Sequence, residues 1–140
     1  MIEQLVRQVI EEKLGVNKIS SQAGVTSIAI PKWKVSEEDR LDTGNPRDKV
    51  YTKDFFSLDE SPQLGAGLME MTDSTFPWTL NYDEMDYVIE GQLDVLIDGE
   101  KISAKAGELI HIPHGSSIEF SATGFARFIY ITYPANWQEQ

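Results

Sequence analysis

From residue 50 to residue 133, short runs of strand-forming residues alternate with clusters of turn-forming residues. Regular short runs separated by Gly, Pro and Asp-Gly predict an all-β sandwich or barrel. The strongest hairpin signal is Asp98-Gly99, which joins the runs LDVLI and EKISA. The runs that predict strands are 50–56, 64–72, 75–80, 84–89, 92–97, 100–104, 108–112, 116–121 and 125–133.

The first 15 residues carry a helical pattern instead. Apolar side chains recur three and four residues apart, and Gly15 follows them as a left-handed C-cap. A helix of about 13 residues is marginal alone in water, so its apolar stripe needs a surface. That surface is either the chain's own barrel or a dimer mate, or a separate protein for which residues 1–15 act as a docking tag. The stripe consists of Ile2, Leu5, Val6, Val9, Ile10 and Leu14.

Between the helix and the strands the pattern is weak. Residues 17–24 are predicted to form a linker. Residues 36–49, which include charges and the turn residues Gly44, Asn45 and Pro46, are predicted to form an exposed loop. The expected organisation is therefore a helix over 1–15, a linker and loop-rich arm over 16–49, and a barrel over 50–140.

Composition narrows the class of protein. A chain of 140 residues suits one domain with one core. It has no cysteine, which excludes disulfides and thiolate metal sites, and no signal-like segment at its start, so we expect a soluble cytosolic protein. The formal net charge of -11 argues against an electrostatic grip on nucleic acid or anionic membranes, and mildly against phosphate chemistry.

Two stretches, NYDEMDYVIEGQLDVLIDGE (81–100) and AGELIHIPHGSSIEF (106–120), resemble the two conserved motifs of the cupin superfamily. The resemblance implies a double-stranded β-helix, or jelly-roll, barrel whose open mouth receives a ligand. Glu84 matches the motif glutamate, but Trp, Thr and Leu occupy 78–80 and Ile118 stands where motif histidines are expected. Because imidazole supplies much of the affinity of such sites, we expect no transition metal.

Alternation along the strand predicts which side chains share the cavity with Glu84. Tyr82 and Asp86 lie two residues away on either side, so they face inward if Glu84 does. Two carboxyls this close cannot both ionise cheaply, so one pKa should rise, as a general acid or base requires. The catalytic candidates are therefore Glu84, Asp86 and Tyr82. The alternative is that Asp86 lies at the rim of the barrel and is simply solvated.

Four further residues are candidates for ligand binding. Glu70 lies among apolar residues on the preceding strand, and Trp78 lies near the expected barrel mouth, where an aromatic ring can both fill a core and stack on a ligand. Lys53 is the nearest plausible cation in sequence. His111 lies on a strand and faces either the cavity or the outside, whereas His114 is predicted to be an exposed turn residue.

Within the cupins, three stretches are similar to the ethanolamine utilisation protein EutQ family: GLMEMTDSTFPWTLNYDEMDYVIEG, HIPHGSSIEFS and ARFIYITYPANW. This resemblance implies a homodimer of the bacterial cytoplasm that serves ethanolamine catabolism and is associated with the protein-shelled microcompartment of that pathway. It also implies acetate kinase activity, which interconverts acetate and ATP with acetyl phosphate and ADP. The opening helix would then contact a shell or enzyme partner in the microcompartment.

The residue pattern by itself does not indicate a kinase. The chain has neither a Gly-x4-Gly-Lys-Ser/Thr loop nor a kinase-type glycine loop. If phosphoryl transfer occurs, ATP and Mg²⁺ are the expected cofactors, with magnesium on Glu84, Asp86 and Glu70 and with Lys53 near the phosphates. Two alternatives remain open: a non-catalytic microcompartment component that binds a small metabolite or a protein partner, and a metal-dependent cupin enzyme.

Overall fold

The computed structural model describes residues 18–139, and the helix predicted over 1–15 lies outside the described residues. The chain divides between Lys34 and Val35 into two compact units. In the first unit, β1 (Lys18–Ser20) pairs antiparallel with β2 (Thr26–Ile28), and a short 3-10 helix (Ile30–Lys32) follows.

The hairpin of the first unit corrects the prediction of a linker over 17–24. The three residues of β1 are too few for alternation to be recognised in the sequence, whereas β2 coincides with a short alternating run near residues 26–30. The turn between them is closed by backbone hydrogen bonds between Ser21 and Val25 and between Gly24 and Ser21. The hydroxyls of Ser20 and Thr26 add a cross-strand hydrogen bond of 2.8 Å.

The second unit is an antiparallel jelly-roll barrel, which confirms the predicted all-β class. Its strands hydrogen-bond in the order β3-β4-β8-β5-β6, and β7 pairs with β5. Among residues 18–139, no helix has the length and apolar character that crossing a membrane requires. The strands are β3 (Lys49–Asp54), β4 (Gly65–Thr79), β5 (Asp83–Ile97), β6 (Glu100–Lys105), β7 (Leu109–Ile112) and β8 (Ser117–Tyr133). Short 3-10 helices lie at Glu37–Asp39 and Trp137–Glu139.

Three pairs of predicted strands are continuous in the structure, as β4, β5 and β8. The residues that suggested breaks lie at bulges, where the strand register shifts around Asp73 and around Gly91. Gly91 has a φ of 77°, and a Cβ at this position would collide with the carbonyl oxygen of Phe125. A bulge bends a strand without ending it, so each long strand serves both halves of the barrel.

The core fills the barrel with side chains from alternate strand positions. Phe76 on β4 and Phe128 on β8 pack against Phe120, with ring centroids 5.6 and 6.4 Å away respectively. Ile118, at the position expected for a motif histidine, is buried and lies opposite Trp78 in the β4–β8 register. Burying a side chain of this size contributes roughly 2 kcal/mol of stability, so this position supports the core instead of a metal.

Residues 36–49 are largely exposed, as predicted, but they are held in place by hydrogen bonds. The guanidinium of Arg40 donates to the carbonyl oxygens of Pro46 and Asp48, both at 2.6 Å. The backbone N–H of Leu41 donates to the carbonyl of Val50 at 2.8 Å. These bonds hold Leu41 against the barrel core.

Candidate active site

The three catalytic candidates lie on the inner side of the barrel at the start of β5. The residues Tyr82, Glu84 and Asp86 are 2%, 5% and 0% exposed. The residues between and beyond them, including Met85 and Tyr87, are exposed, as alternation requires. The alternative that Asp86 is solvated at the rim is wrong, because this residue is completely buried.

Glu84 and Asp86 form a pair of interacting buried carboxyls. Burial raises the pKa of Glu84 to about 7, while a hydrogen bond with Asp86 acts in the opposite direction. Burial, followed by the charge of Glu84, raises the pKa of Asp86 well above its ordinary value. The more firmly held proton therefore lies on Asp86, which donates it to Glu84. Burial therefore disfavours ionisation of both carboxyls, and of Asp86 more than of Glu84.

The hydrogen-bonding needs of the buried oxygens support a proton shared between Glu84 and Asp86. If both groups were carboxylates neither could donate, and both oxygens of Asp86 would lack a hydrogen-bond partner within the described part of the chain. Such buried oxygens are costly unless a proton or a cation satisfies them. The hydroxyl of Thr132, which lies opposite Glu84 in the β5–β8 register, also has no partner among residues 18–139.

A small cavity, here called the inner cavity, opens beside Glu84. Its volume is about 20 Å³, which is enough for one molecule of the size of water. Trp78 lines it and donates from Nε1 to the Tyr82 hydroxyl at 2.7 Å. Burial and the charge of Glu84 raise the pKa of Tyr82, so it remains a neutral phenol at physiological pH. The lining residues are Leu41, Thr52, Met69, Phe76, Trp78, Tyr82, Glu84, Phe120, Tyr130 and Trp137.

Only Trp78, Tyr82 and Glu84 among these lining residues were predicted from the sequence, and the others include Tyr130 and Trp137. The Tyr130 hydroxyl donates to Oδ1 of Asp54 at 2.6 Å, and burial together with Asp54 raises the pKa of Tyr130. Gly67 makes room for this ring, because a Cβ there would collide with it. Alternation along β8 could have identified Tyr130. Trp137 lies beyond the last strand, where no periodic pattern indicates its direction.

Glu70 lies outside the inner cavity, contrary to the prediction. It alternates along β4 with Met69 and Met71, which are buried in the core, so its side chain points to the opposite face. There it forms an ion pair with Arg127 of β8. The arrangement in which Glu70 joins Glu84 on a magnesium ion is therefore wrong.

Lys53 and His111 also lie away from the inner cavity. Thr52 lines the cavity, so alternation along β3 directs the neighbouring Lys53 outward. His111 is exposed on β7 opposite Met85, and His114 is exposed in the following turn as predicted. Of the four predicted binding residues, only Trp78 is brought to the cavity with the carboxyl pair.

A wider depression lies at the mouth of the barrel. It has a volume of about 420 Å³ and shares Leu41, Thr52 and Trp78 with the inner cavity. Its other lining residues carry three carboxylates and one guanidinium: Glu38, Asp39, Arg40 and Asp42, together with Gln138. Because three carboxylates outnumber one guanidinium, the field at the mouth is predominantly negative.

Fold and site together define a cupin in which the motif histidines are replaced and a carboxyl pair is retained. Within residues 18–139, no group of three or more His, Cys, Asp or Glu is arranged to hold a metal ion. The cupin domain of an XRE-family transcriptional regulator from Enterobacter cloacae superposes on 60% of the chain, covering 95% of that domain, with a TM-score of 0.53 and 17% identity. This similarity concerns the fold alone.

The particular family follows from closer relatives. Residues 1–139 match the model of the ethanolamine utilisation protein EutQ family, and the chain belongs to this family. It is 60% identical to a Clostridioides difficile (strain 630) protein named acetate kinase EutQ, over 100% of the chain and 94% of that protein. A solved structure of the Clostridium difficile EutQ protein has 63% identity and a TM-score of 0.87, covering 88% of this chain and 90% of that one.

A more distant relative is longer than the chain. The Escherichia coli (strain K12) protein of the same name is 37% identical over 99% of the chain. The chain spans 61% of the length of that relative.

Proposed function

We propose that the chain acts in ethanolamine catabolism as an acetate kinase, transferring a phosphoryl group between ATP and acetate. The observation that carries this proposal is the 60% identity, over the whole chain, to a relative named acetate kinase EutQ. A second named relative at 37% identity supports it.

The chemistry of this reaction limits what the carboxyl pair has to do. An oxygen of acetate forms a bond to the γ-phosphorus, and the bond from that phosphorus to the bridging oxygen breaks as ADP leaves. Acetate attacks as a carboxylate, so no proton has to be removed from it. Positioning and charge stabilisation provide most of the catalysis in such transfers. An acid–base role for Glu84, Asp86 or Tyr82 is therefore not required by this reaction.

Neither magnesium nor ATP fits the inner cavity. Mg²⁺ takes near-octahedral oxygen coordination and usually keeps several water ligands. The inner cavity, with a volume of about 20 Å³, holds only one molecule of the size of water. Glu84 is the only carboxyl that lines it within the described residues, since the buried Asp86 is not part of the lining. The wider depression at the mouth, with about 420 Å³, is where we place the nucleotide as its Mg²⁺ complex, because the cation would offset the negative field of the mouth.

A direct assay tests the kinase proposal. The purified full chain, given acetate and Mg-ATP, should form acetyl phosphate above the level of a mock purification from the same host. Trp78→Ala should lower the rate roughly tenfold or more, because Trp78 lines both the cavity and the depression and misplaced groups are costly in catalysis. Trp78→Phe is the conservative control for folding. No acetyl phosphate from a folded chain would refute the proposal.

A second candidate function is the binding of a small metabolite without catalysis. It is favoured by the inner cavity itself, which is lined by a carboxyl and aromatic rings and is too small for a nucleotide. This function would survive a negative kinase assay, since it requires only saturable binding of a small molecule in the barrel.

We also propose that the protein associates with the ethanolamine microcompartment, and that residues 1–15 contact a shell or enzyme partner there. The family supports the setting, and the apolar stripe of the opening residues supports the contact. A fluorescent fusion of the full chain should co-localise with shells in cells that make them, whereas the same fusion lacking residues 1–15 should remain diffuse. Equal localisation of both would contradict the tag.

A further inference from the structure

The inner cavity has the composition of a site for a cation. Its lining contains six aromatic side chains and one charged residue, Glu84, and within the described residues it contains no Lys, Arg or His. An anion placed there would meet a carboxyl and no compensating charge. A cation would be stabilised by Glu84 and by the aromatic rings.

The carboxyl pair favours a positively charged ligand, because one of its members, Glu84, faces the cavity. Asp86 is completely buried, and neither of its oxygens has a hydrogen-bond partner within the described residues unless a proton lies between it and Glu84. Glu84 forms part of the cavity wall, and Asp86 lies two residues further along the same inner face of β5. When Glu84 is ionised, its charge is therefore directed at the cavity and not at a neighbouring protein cation.

Four of the aromatic side chains form one cluster in the wall of the cavity. The ring centroid of Trp137 lies 5.5 Å from that of Tyr130, 6.0 Å from Trp78 and 6.2 Å from Tyr82. All four rings line the same cavity. Cations bind favourably within about 6 Å of such ring centroids, and groups of aromatic residues recognise ammonium ligands in this way.

Cavity size decides which cation fits. The cavity volume of about 20 Å³ accepts one group of the size of a water molecule, and a primary ammonium group has this size. A hydrated magnesium ion or a quaternary ammonium is larger. The shared lining residues Leu41, Thr52 and Trp78 connect the cavity to the depression at the mouth, which leaves space for a short tail.

We propose that the barrel binds a small primary ammonium compound, with its ammonium group in the inner cavity beside Glu84 and a short polar tail directed toward the depression at the mouth. The proposal deepens the second candidate function, on which it rests, and does not depend on phosphoryl transfer. The carboxylates Glu38, Asp39 and Asp42 at the depression would attract such a cation from solution.

Calorimetric titration of the full chain tests the proposal with defined probes: ethanolammonium chloride, tetramethylammonium chloride and sodium acetate, at constant ionic strength. Ethanolammonium should bind saturably below about 10 mM, and tetramethylammonium should bind at least about tenfold more weakly. Glu84→Gln should weaken ethanolammonium binding at least about tenfold, because it removes the charge and keeps the shape. Glu100→Gln, an exposed carboxylate in the β5–β6 hairpin, makes the same change in net charge and should bind as the wild type does.

A second measurement uses the wild type alone and does not depend on how a variant folds. Because burial raises the pKa of Glu84 to about 7, the affinity for ethanolammonium should increase between pH 6 and pH 8. Asp86, the carboxyl that interacts with Glu84, has a raised pKa as well and holds its proton more firmly. The tyrosines that line the cavity, Tyr82 and Tyr130, also have raised pKa values and remain neutral in this range. The inner positions of β7 are isoleucines, Ile110 and Ile112, and do not titrate.

Four results would overturn the proposal. The first is the absence of saturable ethanolammonium binding, and the second is equal binding by the wild type and Glu84→Gln. The third is tetramethylammonium binding as tight as that of ethanolammonium. The fourth is saturable binding of acetate in place of ethanolammonium, which would leave the small-metabolite function standing while the ammonium assignment fails.

Discussion

At the scale of single residues, the pair Glu84 and Asp86 determines what the barrel can do. The replacement of the motif histidines by residues such as Ile118 converts part of the pocket into core. The carboxyls remain without imidazoles or a neighbouring cation that lines the cavity within residues 18–139. Their charge is then controlled by burial, so the state of the site depends on pH in the physiological range.

This pair should make the stability of the protein fall as the pH rises. The pKa of Glu84 is raised from 4.5 to about 7 in the folded chain, so its contribution is complete below about pH 4.5 and is lost as the pH rises through 7. Asp86, with its pKa also raised, acts in the same direction. Glu84→Gln should therefore be more stable than the wild type at pH 8, by roughly 1–3 kcal/mol, with a smaller difference at pH 5.

Urea unfolding of both proteins at pH 5, 6, 7 and 8 checks this expectation. Glu100→Gln serves as the control, because it removes an exposed carboxylate, and its difference from the wild type should not depend on pH. A stability difference between Glu84→Gln and the wild type that is the same at every pH would contradict the raised pKa.

For single residues, the sequence predicted the direction of those side chains to which strand alternation was applied. Tyr82, Glu84 and Asp86 face inward as expected, because the side-chain period of a strand is two. The predicted place of Glu70 and Lys53 at the cavity is wrong, because alternation along β4 and β3 directs both side chains outward.

At the scale of secondary-structure elements, the strands were predictable but their continuity was not. Turn-like residues such as Asp73 and Gly91 indicated breaks, whereas the structure places them at bulges within long strands. Whether such a residue ends a strand or bends it depends on partners far away in sequence. For the same reason the position of Trp137 was not predictable, because contacts with rings from β4 and β8 orient its side chain.

The outer face of β5, β7 and β8 carries an exposed apolar patch, where we expect the homodimer implied by the family resemblance to form. Met85 lies opposite Ile131 and His111, and Tyr87 lies opposite Leu109, so these side chains form one patch on neighbouring strands. Most of them are large apolar residues that remain more than two-fifths exposed. Exposed apolar patches of this kind often mark interaction surfaces, so the dimer prediction can be tested here.

Substitutions on two strands test this interface. Ile131→Glu should shift the protein from dimer to monomer in size-exclusion chromatography with light scattering, because it places a charge in the apolar patch. Ile102→Glu makes the same change at an exposed isoleucine on the edge strand β6 and should leave the dimer intact. A wild type that is monomeric at high concentration would contradict the assignment, as would dissociation by Ile102→Glu alone.

At the scale of the whole molecule, charge and family indicate different chemistries for the barrel. The formal net charge of -11 and the acidic mouth favour cations, whereas the names of the relatives point to acetate and ATP. The two are compatible if the inner cavity and the depression bind different molecules. The sequence indicated the family through its motifs, but cavity size follows from packing between distant strands and could not be predicted from a single chain.

A carbon-13 NMR titration of the Glu84 carboxyl, assigned through the Glu84→Gln variant, measures directly whether Glu84 has a raised pKa and binds a cation in the inner cavity. Without ligand, the carboxyl should titrate near pH 7, and saturating ethanolammonium should lower that midpoint, because a bound cation stabilises the ionised form. A midpoint near 4.5 that ethanolammonium leaves unchanged would show that Glu84 is an ordinary solvated carboxylate, and would contradict the account.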